Sequence, residues 1–360
     1  MTTRTNDTQV FLSSPEYVKT SLAASISLGM EQGRFTRSAC CTCLNLLLNY
    51  ESGCYANCGY CGLAAGRSRS VRPSFIRVKW PVYPLGDIIS KLQEEKSPFK
   101  RICVSMVTHP RAVADCCEII RTLSEKTDIP ISALLTPTVM NGEADMTRIR
   151  EAGADKVGIA IDTATRQLFE ELRGSGVGGV HQWEQYNQMV DTAVSVFGRY
   201  MAGVHLIAGL GETDRDMVDI ISRFHKRGAL THLFSFYPEQ GSLLENHPRP
   251  SIGRYRRLQL ARYLINTSVC DGSDFVFSES GELVDFGVDI SQYIEKGIPF
   301  MTSGCAGKDG SVACNRPFSN ERPSEPIRNY HFMPDNDDKT LIYSQIFEDI
   351  HQLTPDENEV

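Results

Sequence analysis

Gly53-Cys54-Tyr55-Ala56-Asn57-Cys58-Gly59-Tyr60-Cys61-Gly62-Leu63 sets three cysteines at C-x3-C-x2-C spacing directly after an apolar run, Leu44 to Tyr50. The run reads as a buried strand, so the cysteines fall on the loop that leaves it. Three thiolates from one short loop can hold three irons of a cubane iron–sulfur cluster. The fourth iron then has no protein ligand and is open to a substrate, whereas electron-carrier clusters usually close all four positions with Cys. The competing reading is a zinc knot. Zinc sites usually join two C-x2-C pairs or Cys/His pairs in a tetrahedral set, and no His lies in this loop.

The chain of 360 residues is 41% hydrophobic and 22% charged, enough to bury the core of one barrel-sized domain with an appendage. Its net charge of -7 argues against a nucleic-acid partner. There is no run of 18 apolar residues, and Met1 to Asp7 lacks the apolar core of a signal peptide, so the expectation is a cytoplasmic protein with no membrane partner. Twelve cysteines then point to metal or redox chemistry rather than disulfides. They cluster: Cys40, Cys41, Cys43, Cys54, Cys58 and Cys61 early, Cys305 and Cys314 late, with Cys103, Cys116, Cys117 and Cys270 scattered.

Ser14-Pro15-Glu16 reads as a helix start and Gly33 as its stop. From Leu44 onward, short apolar runs alternate with amphipathic stretches, the pattern of repeated βα units on a parallel sheet. The runs are Leu44–Tyr50, Ile102–Val107, Ile131–Leu135, Val157–Ile161, Val204–Ala208 and Leu230–Phe236. Helices are expected at Leu85–Lys96, Ala112–Lys126, Glu143–Glu151, Gln182–Phe197, Asp214–Arg227 and Ile252–Thr267. Phe275–Phe277 and Leu283–Phe286 form either a hairpin or the last barrel strands. The fold class is therefore α/β, a (β/α) barrel, complete or partial. It divides into a tail and Cys segment (1–43), the barrel (44–290) and a loop-rich extension (291–360).

Such a barrel carries its chemistry at the carboxyl ends of the strands. Asp162 ends the fourth run, where it could accept from ribose hydroxyls or, with Thr163, simply cap the next helix. Gly209-Leu210-Gly211-Glu212-Thr213 follows the fifth run, where glycines allow close approach of a ligand and Glu212 and Thr213 could cap a helix. Tyr237-Pro238 ends the sixth. Cys103 is read as a packed residue because the third run offers no matching thiol, and Cys116, Cys117 and Cys270 are read likewise. His109, His205 and His232 are isolated and read as scaffold residues.

Residues 302–326 are rich in Gly, Pro and Ser without helical or strand period, and a loop this long needs something to order it. Cys305 and Cys314 are its anchors. With the pair Cys40 and Cys43 just before the first strand they offer ligands for an auxiliary 4Fe-4S cluster, or for zinc with the same set.

With Tyr60 just before its last Cys, the loop resembles the radical S-adenosylmethionine superfamily. Cys43-Leu44-Asn45-Leu46-Leu47-Leu48, the loop itself, Val204–Thr213 and the late Cys305–Glu321 stretch with Cys-Asn-Arg-Pro-Phe are together similar to one family. It is the biotin-synthase-like component of the two-component lipoyl synthase. Two departures stand out: eight residues separate the late pair, and Cys41 adds a thiol beside the early one.

The resemblance implies that Cys54, Cys58 and Cys61 hold a 4Fe-4S cluster whose open iron chelates S-adenosylmethionine. Tyr60, Asp162, Gly209, Gly211 and Glu212 would lie around that cofactor. A 5'-deoxyadenosyl radical would take hydrogen from an octanoyl chain, and the carbon radical would take sulfur from the auxiliary cluster. A labile non-Cys ligand, Ser303 or Ser319, would let an iron leave. The partners implied are an octanoylated lipoyl domain or glycine-cleavage H protein, a paired second radical enzyme and an electron donor. Arg67, Arg69, Arg72, Arg77 and Lys79 could dock an acidic carrier or form only a solvated face. The competing functions are an isomerase or metal-centre maturase on the same barrel, and a non-catalytic iron–sulfur scaffold.

Overall fold

A computed structural model describes residues 12–67, 75–94, 97–315, 321 and 325–348. The chain opens with β1 (Tyr17–Thr20), α1 (Leu22–Ser27), β2 (Cys43–Leu48), β3 (Val82–Pro84) and α2 (Leu85–Leu92). Strands and helices then alternate: β4 (Arg101–Ser105), α3 (Ala112–Lys126), β5 (Ile131–Leu135), α4 (Glu143–Glu151), β6 (Ala154–Asp162) and α5 (Arg166–Leu172). After these come α6 (Trp183–Phe197), β7 (Ala202–Ala208), α7 (Asp214–Lys226), β8 (Leu230–Ser235) and α8 (Ile252–Asn266). The end of the chain holds β9 (Val276–Phe277), β10 (Leu283–Asp285), α9 (Ser291–Lys296) and α10 (Asn336–Phe347).

Eight strands form one sheet in the order β3-β1-β2-β4-β5-β6-β7-β8, with β2 and β4 to β8 parallel and β1 antiparallel to both of its neighbours. Since β3 and β8 end the order unpaired with each other, the barrel is partial. The parity of each strand decides what faces inward. Leu44, Leu46 and Leu48 join the outer core beneath the helices, while Leu47 faces the interior. In-register neighbours in a parallel sheet share a face, so Asn45, Cys103 and Ser132 stand side by side, as do Ala160, His205 and His232. Helices cover the outer face; α3, for example, buries Val113, Cys116, Cys117, Ile120 and Leu123 on its inner side.

One expectation needs correction. The helix expected over Ser14–Gly33 is mostly absent: Tyr17–Thr20 is a strand, followed by the six-residue α1. Its buried positions alternate, and Val18 pairs with Leu48 on one side and Tyr83 on the other, so tertiary pairing overrides the helix-start signal. Of the two readings of 275–286 the hairpin holds: β9 and β10 form their own two-stranded sheet, apart from the barrel. The extension is not all loop, because α10 starts at a capping box in which Asp335 and Asp338 accept each other's backbone N–H.

The extension shares the barrel's core. Phe300, Tyr330, Ile342 and Ile346 belong to the same apolar cluster as the sheet. It also meets the free edge of the sheet, where Leu233 of β8 donates its N–H to Ser303 Oγ at 3.0 Å. Among the described residues no helix is long and apolar enough to cross a membrane.

Candidate active site and a second thiol set

The cysteine loop leaves β2 at the carboxyl rim and is tied down on three sides. Tyr55 N–H donates to Thr108 O, Gly59 N–H to Leu172 O, and Leu244 N–H to Gly59 O. Asn57 braces it further, giving Nδ2–H to Val177 O at 2.6 Å and accepting Gly66 N–H at 2.9 Å. Cys54, Cys58 and Cys61 thereby line one cavity of about 220 Å³ inside the barrel mouth. Thr108 N–H points at Cys54 Sγ and Leu63 N–H at Cys61 Sγ, each at 3.4 Å. Burial pushes the Cys58 and Cys61 thiols up, and a metal binding there displaces their protons. Three thiols on one wall with no fourth ligand from the loop fit a cubane cluster with one open iron.

Asp162 lies in the same cavity, with φ of 66°, at a bulge where Ala160 pairs with His205 and Asp162 with Leu206. A left-handed Asp at a strand end costs backbone energy and re-aims its side chain. Its carboxylate accepts Tyr60 O–H at 2.5 Å and pairs with Arg173 at 3.5 Å. Arg173, buried at the end of α5, also donates to the Ala160 and Ile161 carbonyls and lies over the Phe169 and Tyr186 rings. Asp162 is thus held by two partners from two elements. Tyr186 continues the network to His181 Nδ1 at 3.0 Å and to Thr136 Oγ1 at 3.3 Å.

The turn after β7 packs beside the cysteine loop, with Leu210 in a small apolar cluster with Leu172, Phe236 and Tyr60. Gly209, Gly211 and Glu212 are outside the cavity lining. Glu212 accepts the N–H groups of Gly209 and Leu210 at 2.7 and 2.9 Å and pairs with Arg254 at 3.0 Å, so it folds the turn after β7. Gly209 and Gly211 have φ of 101° and 122°, values open to glycine. Tyr237 does line the cavity, under the Arg77 guanidinium at 4.1 Å.

A second thiol set occupies the amino-terminal half of the barrel. Cys103, Cys305 and Cys314 line a pocket of about 20 Å³ with Ser303, His205 and His232, too small to admit a substrate. Cys305 and Cys314 are brought together by a hairpin, in which the Ala313 and Cys314 N–H groups both donate to Cys305 O at 3.0 Å. That resolves the eight-residue gap. Gly304 is required beneath it, since a Cβ there would stand 2.2 Å from Cys314 O. Asn315 anchors the hairpin to the early segment, accepting Thr42 N–H at 3.1 Å and donating to Cys40 O at 2.9 Å. Cys43 is fully buried against Cys314; their hydrogen bond and burial push its thiol well up, and burial pushes Cys305 up to about 12.

Two expectations change here. Cys40 is exposed and does not line this pocket. Cys103, read as packing, does line it, because its parity on β4 faces it inward. Ser319, Arg69 and Arg72 lie outside the described residues. Arg77 is paired with Glu325 at 3.3 Å with its side chain 5% exposed, and Arg67 donates to the Gly62 and Gln240 carbonyls. Neither is a free docking cation. As the side chains stand, no three His, Cys, Asp or Glu among the described residues are gathered at single-ion spacing.

The two pockets share walls. Leu134, His205 and Phe234 line both, so the thiol sets are stacked along the barrel with one layer of side chains between them.

The Radical SAM superfamily model matches residues 48–224, a span holding the three loop cysteines, Tyr60, Asp162 and Arg173. The chain carries a radical SAM domain. The cofactors of that superfamily are a 4Fe-4S cluster and S-adenosylmethionine. Biotin synthase of Streptomyces coelicolor is 25% identical over 49% of this chain and 41% of its own length. That of Acaryochloris marina is 26% identical over 48% of this chain and 46% of its own. The chain thus spans less than half the length of these curated relatives. Among solved structures, methylornithine synthase covers 62% of each chain at 14% identity and TM-score 0.48. The FeFe-hydrogenase maturase HydG from Carboxydothermus hydrogenoformans covers 63% of this chain and 51% of its own at 16% identity and TM-score 0.49.

Arg173, Tyr186 and His181 are the members of the radical SAM site that sequence reading missed. None sits in a spaced motif. A buried Arg at the end of a short helix is the one available signal.

Proposed function

We propose that the protein is a radical SAM enzyme that inserts sulfur into an octanoyl chain carried on a small protein, as a lipoyl synthase does. The observation that carries this reading is the stack of two thiol-lined pockets separated by Leu134, His205 and Phe234. Sulfur insertion needs a hydrogen-abstracting centre and a sulfur donor on either side of one carbon, and a shared wall is where that carbon would lie. The clusters supply the chemistry when bound, a 5'-deoxyadenosyl radical from the upper and sulfide from the lower.

The residues of this chain position and shield it. Cys54, Cys58 and Cys61 hold the upper cluster, steadied by the Thr108 and Leu63 N–H groups. Tyr60 and Arg173 fix Asp162 beside it. Leu47, Met106, Ile207, Phe234 and Phe236 make the cavity apolar, which suits a saturated chain and excludes water. Cys103, Cys305 and Cys314 hold the lower cluster, with Cys43 packed against Cys314. The octanoylated lipoyl domain or H protein docks at the cavity mouth without help from Arg67 or Arg77, which are engaged internally. A paired second radical enzyme and an electron donor complete the system.

Iron and sulfide content of anaerobically reconstituted protein tests this, with wild type beside a Cys54→Ala, Cys58→Ala, Cys61→Ala triple variant. The expected result is about eight irons in wild type and about four in the variant, with thiolated octanoyl carrier formed by wild type and not by Cys103→Ala. A triple variant holding no iron means that the lower thiols bind zinc or nothing. Sulfur insertion is then refuted, and the isomerase or maturase reading takes its place.

A further inference from the structure

Beside the upper cavity, at the carboxyl end of β8, lies a pocket of about 30 Å³ lined by Arg77, Arg249, Arg328, Glu321 and Asn329. Ile76, Phe234, Ser235 and Tyr237 line it and the cavity alike, so the two are neighbours with common walls. Three guanidinium groups meet here with two carboxylates, and the carboxylates are spent unevenly. Glu325 accepts from Arg249 at 2.6 Å and pairs with Arg77 at 3.3 Å. Glu321 is turned to the backbone instead, accepting the Arg328 and Asn329 N–H groups at 2.9 Å each and Asn329 Nδ2–H at 2.7 Å. Arg328 gives its own guanidinium N–H groups to neutral oxygens, Ser235 Oγ at 3.2 Å and Pro250 O at 2.9 Å. Burial first, and then the Arg249 charge, pushes its pKa down to about 10, so this cation is held here at a cost. Arg249 Nε is buried and has no hydrogen-bond partner among the described residues. A buried donor left unpaired needs an explanation, and so does a half-buried cation with neutral partners.

We propose that Arg249 and Arg328 form a subsite for a carboxylate of the substrate, carried beside the chain that enters the upper cavity. Size selects the ion: a water takes about 10–15 Å³ of such space, so about 30 Å³ admits the two oxygens of a carboxylate and is tight for the four of a phosphate. The planar guanidinium fork matches a carboxylate. Tyr237 holds its ring against Arg249 at 5.4 Å and Arg77 at 4.1 Å, which places the charges at the wall common to pocket and cavity. The inference deepens the octanoyl-carrier reading and rests on it. An octanoyl chain in amide linkage has no carboxylate of its own, so the anion is an acidic side chain of the carrier next to the acylated lysine. The other source of the same chemistry is the carboxylate of a free fatty acid.

The test is isothermal titration of the reconstituted holoenzyme, without reductant, with four ligands. Two are peptides in which an octanoyl-lysine is flanked by Asp or by Asn, and two are octanoate and octanamide. The Asp peptide should bind about tenfold more tightly than the Asn peptide, the scale of one charge-assisted hydrogen bond. That preference should vanish in Arg328→Gln and in Arg249→Gln. General damage to the fold would weaken both peptides alike, whereas loss of the subsite removes the difference between them. If Arg328→Gln does not fold, Arg249→Gln carries the test. A preference for octanoate over octanamide that is lost in the same variants, with the peptides bound alike or not at all, keeps the subsite and refutes the carrier. Peptides that bind alike, with octanoate and octanamide also alike, overturn the inference while leaving the carrier reading standing. A preference that survives both substitutions overturns it too, and no binding of any of the four overturns both.

Discussion

His181 Nδ1 is 2.6 Å from Thr138 Oγ1 and 3.0 Å from Tyr186 O–H, on the wall of the upper cavity. Burial, reinforced by the Arg173 charge, pushes its pKa down to about 2. An unfolded histidine takes its proton near pH 6.5. Below that pH the unfolded chain binds a proton that the folded chain refuses, so stability falls as pH drops from about 6.5 toward 2. The slope from one such group is at most about 1.4 kcal/mol per pH unit. Urea unfolding of metal-free protein at pH 7, 6 and 5 should show it, and His181→Gln should flatten the profile by up to that amount. An unchanged profile would mean that His181 takes up its proton as readily in the folded chain as in the unfolded one. Legibility at this scale followed local spacing. Cys54, Cys58 and Cys61 could be read because one loop carries them, and Asp162 because it ends a strand. Arg173 could not, because its contact with Asp162 is made between β6 and α5 and needs the backbone bulge to exist first. Spacing counts residues, whereas the face of a strand decides where a thiol such as Cys103 points.

Among the elements, the hairpin over 305–314 depends most on one residue. Gly304 lies so close to Cys314 that an added Cβ would meet its carbonyl oxygen at 2.2 Å and its Cβ at 2.7 Å. One of the two strands of the hairpin must then move. Gly304→Ala is expected to lose about half of the iron of wild type, the upper cluster's four remaining, with far-UV circular dichroism unchanged. Full retention of iron would show that the lower set tolerates a shift of this size. Periodicity was a good guide to the barrel: the expected bounds of α3, α4 and β5 coincide with those observed. It failed for β1, whose four residues become a strand only through pairing on both edges. The expected α8 lies within one residue of its observed end although it carries no clear polar stripe, being buried almost all round between β8 and α10.

At the scale of the molecule, the last part of the chain closes the floor of the barrel. The hairpin is joined to Thr42 and Cys40 through Asn315, Ser303 caps β8, and Arg101 donates from β4 to Ala306 O at 2.5 Å. α10 packs on α8, where the buried Arg256 and Arg257 give N–H groups to carbonyls of the extension. A metal that binds the folded floor and not the unfolded chain stabilises both ends together. Chelating the iron should therefore lower the melting temperature and open 302–315 to limited proteolysis, and stripped protein resisting the protease as loaded protein does would disconnect the floor from the metal. The C-terminal thiols were legible as anchors, and so was the early segment they meet, through Thr42, Cys40 O and Cys43; the inward face of β4 that brings Cys103 beside them was not, since strand parity sets it.

The distance along the chain between the two thiol sets also imposes an order of birth. The upper loop is complete once Cys61 has left the ribosome, and its strand neighbours follow at once. The lower set waits for Cys314, far down the chain from Cys61. Domains form from the amino terminus as synthesis proceeds, so the barrel can stand, with its upper loop ready for iron, while its floor is still open. The upper thiol set is thus closed early and the lower one late, by the hairpin that carries Cys305 and Cys314.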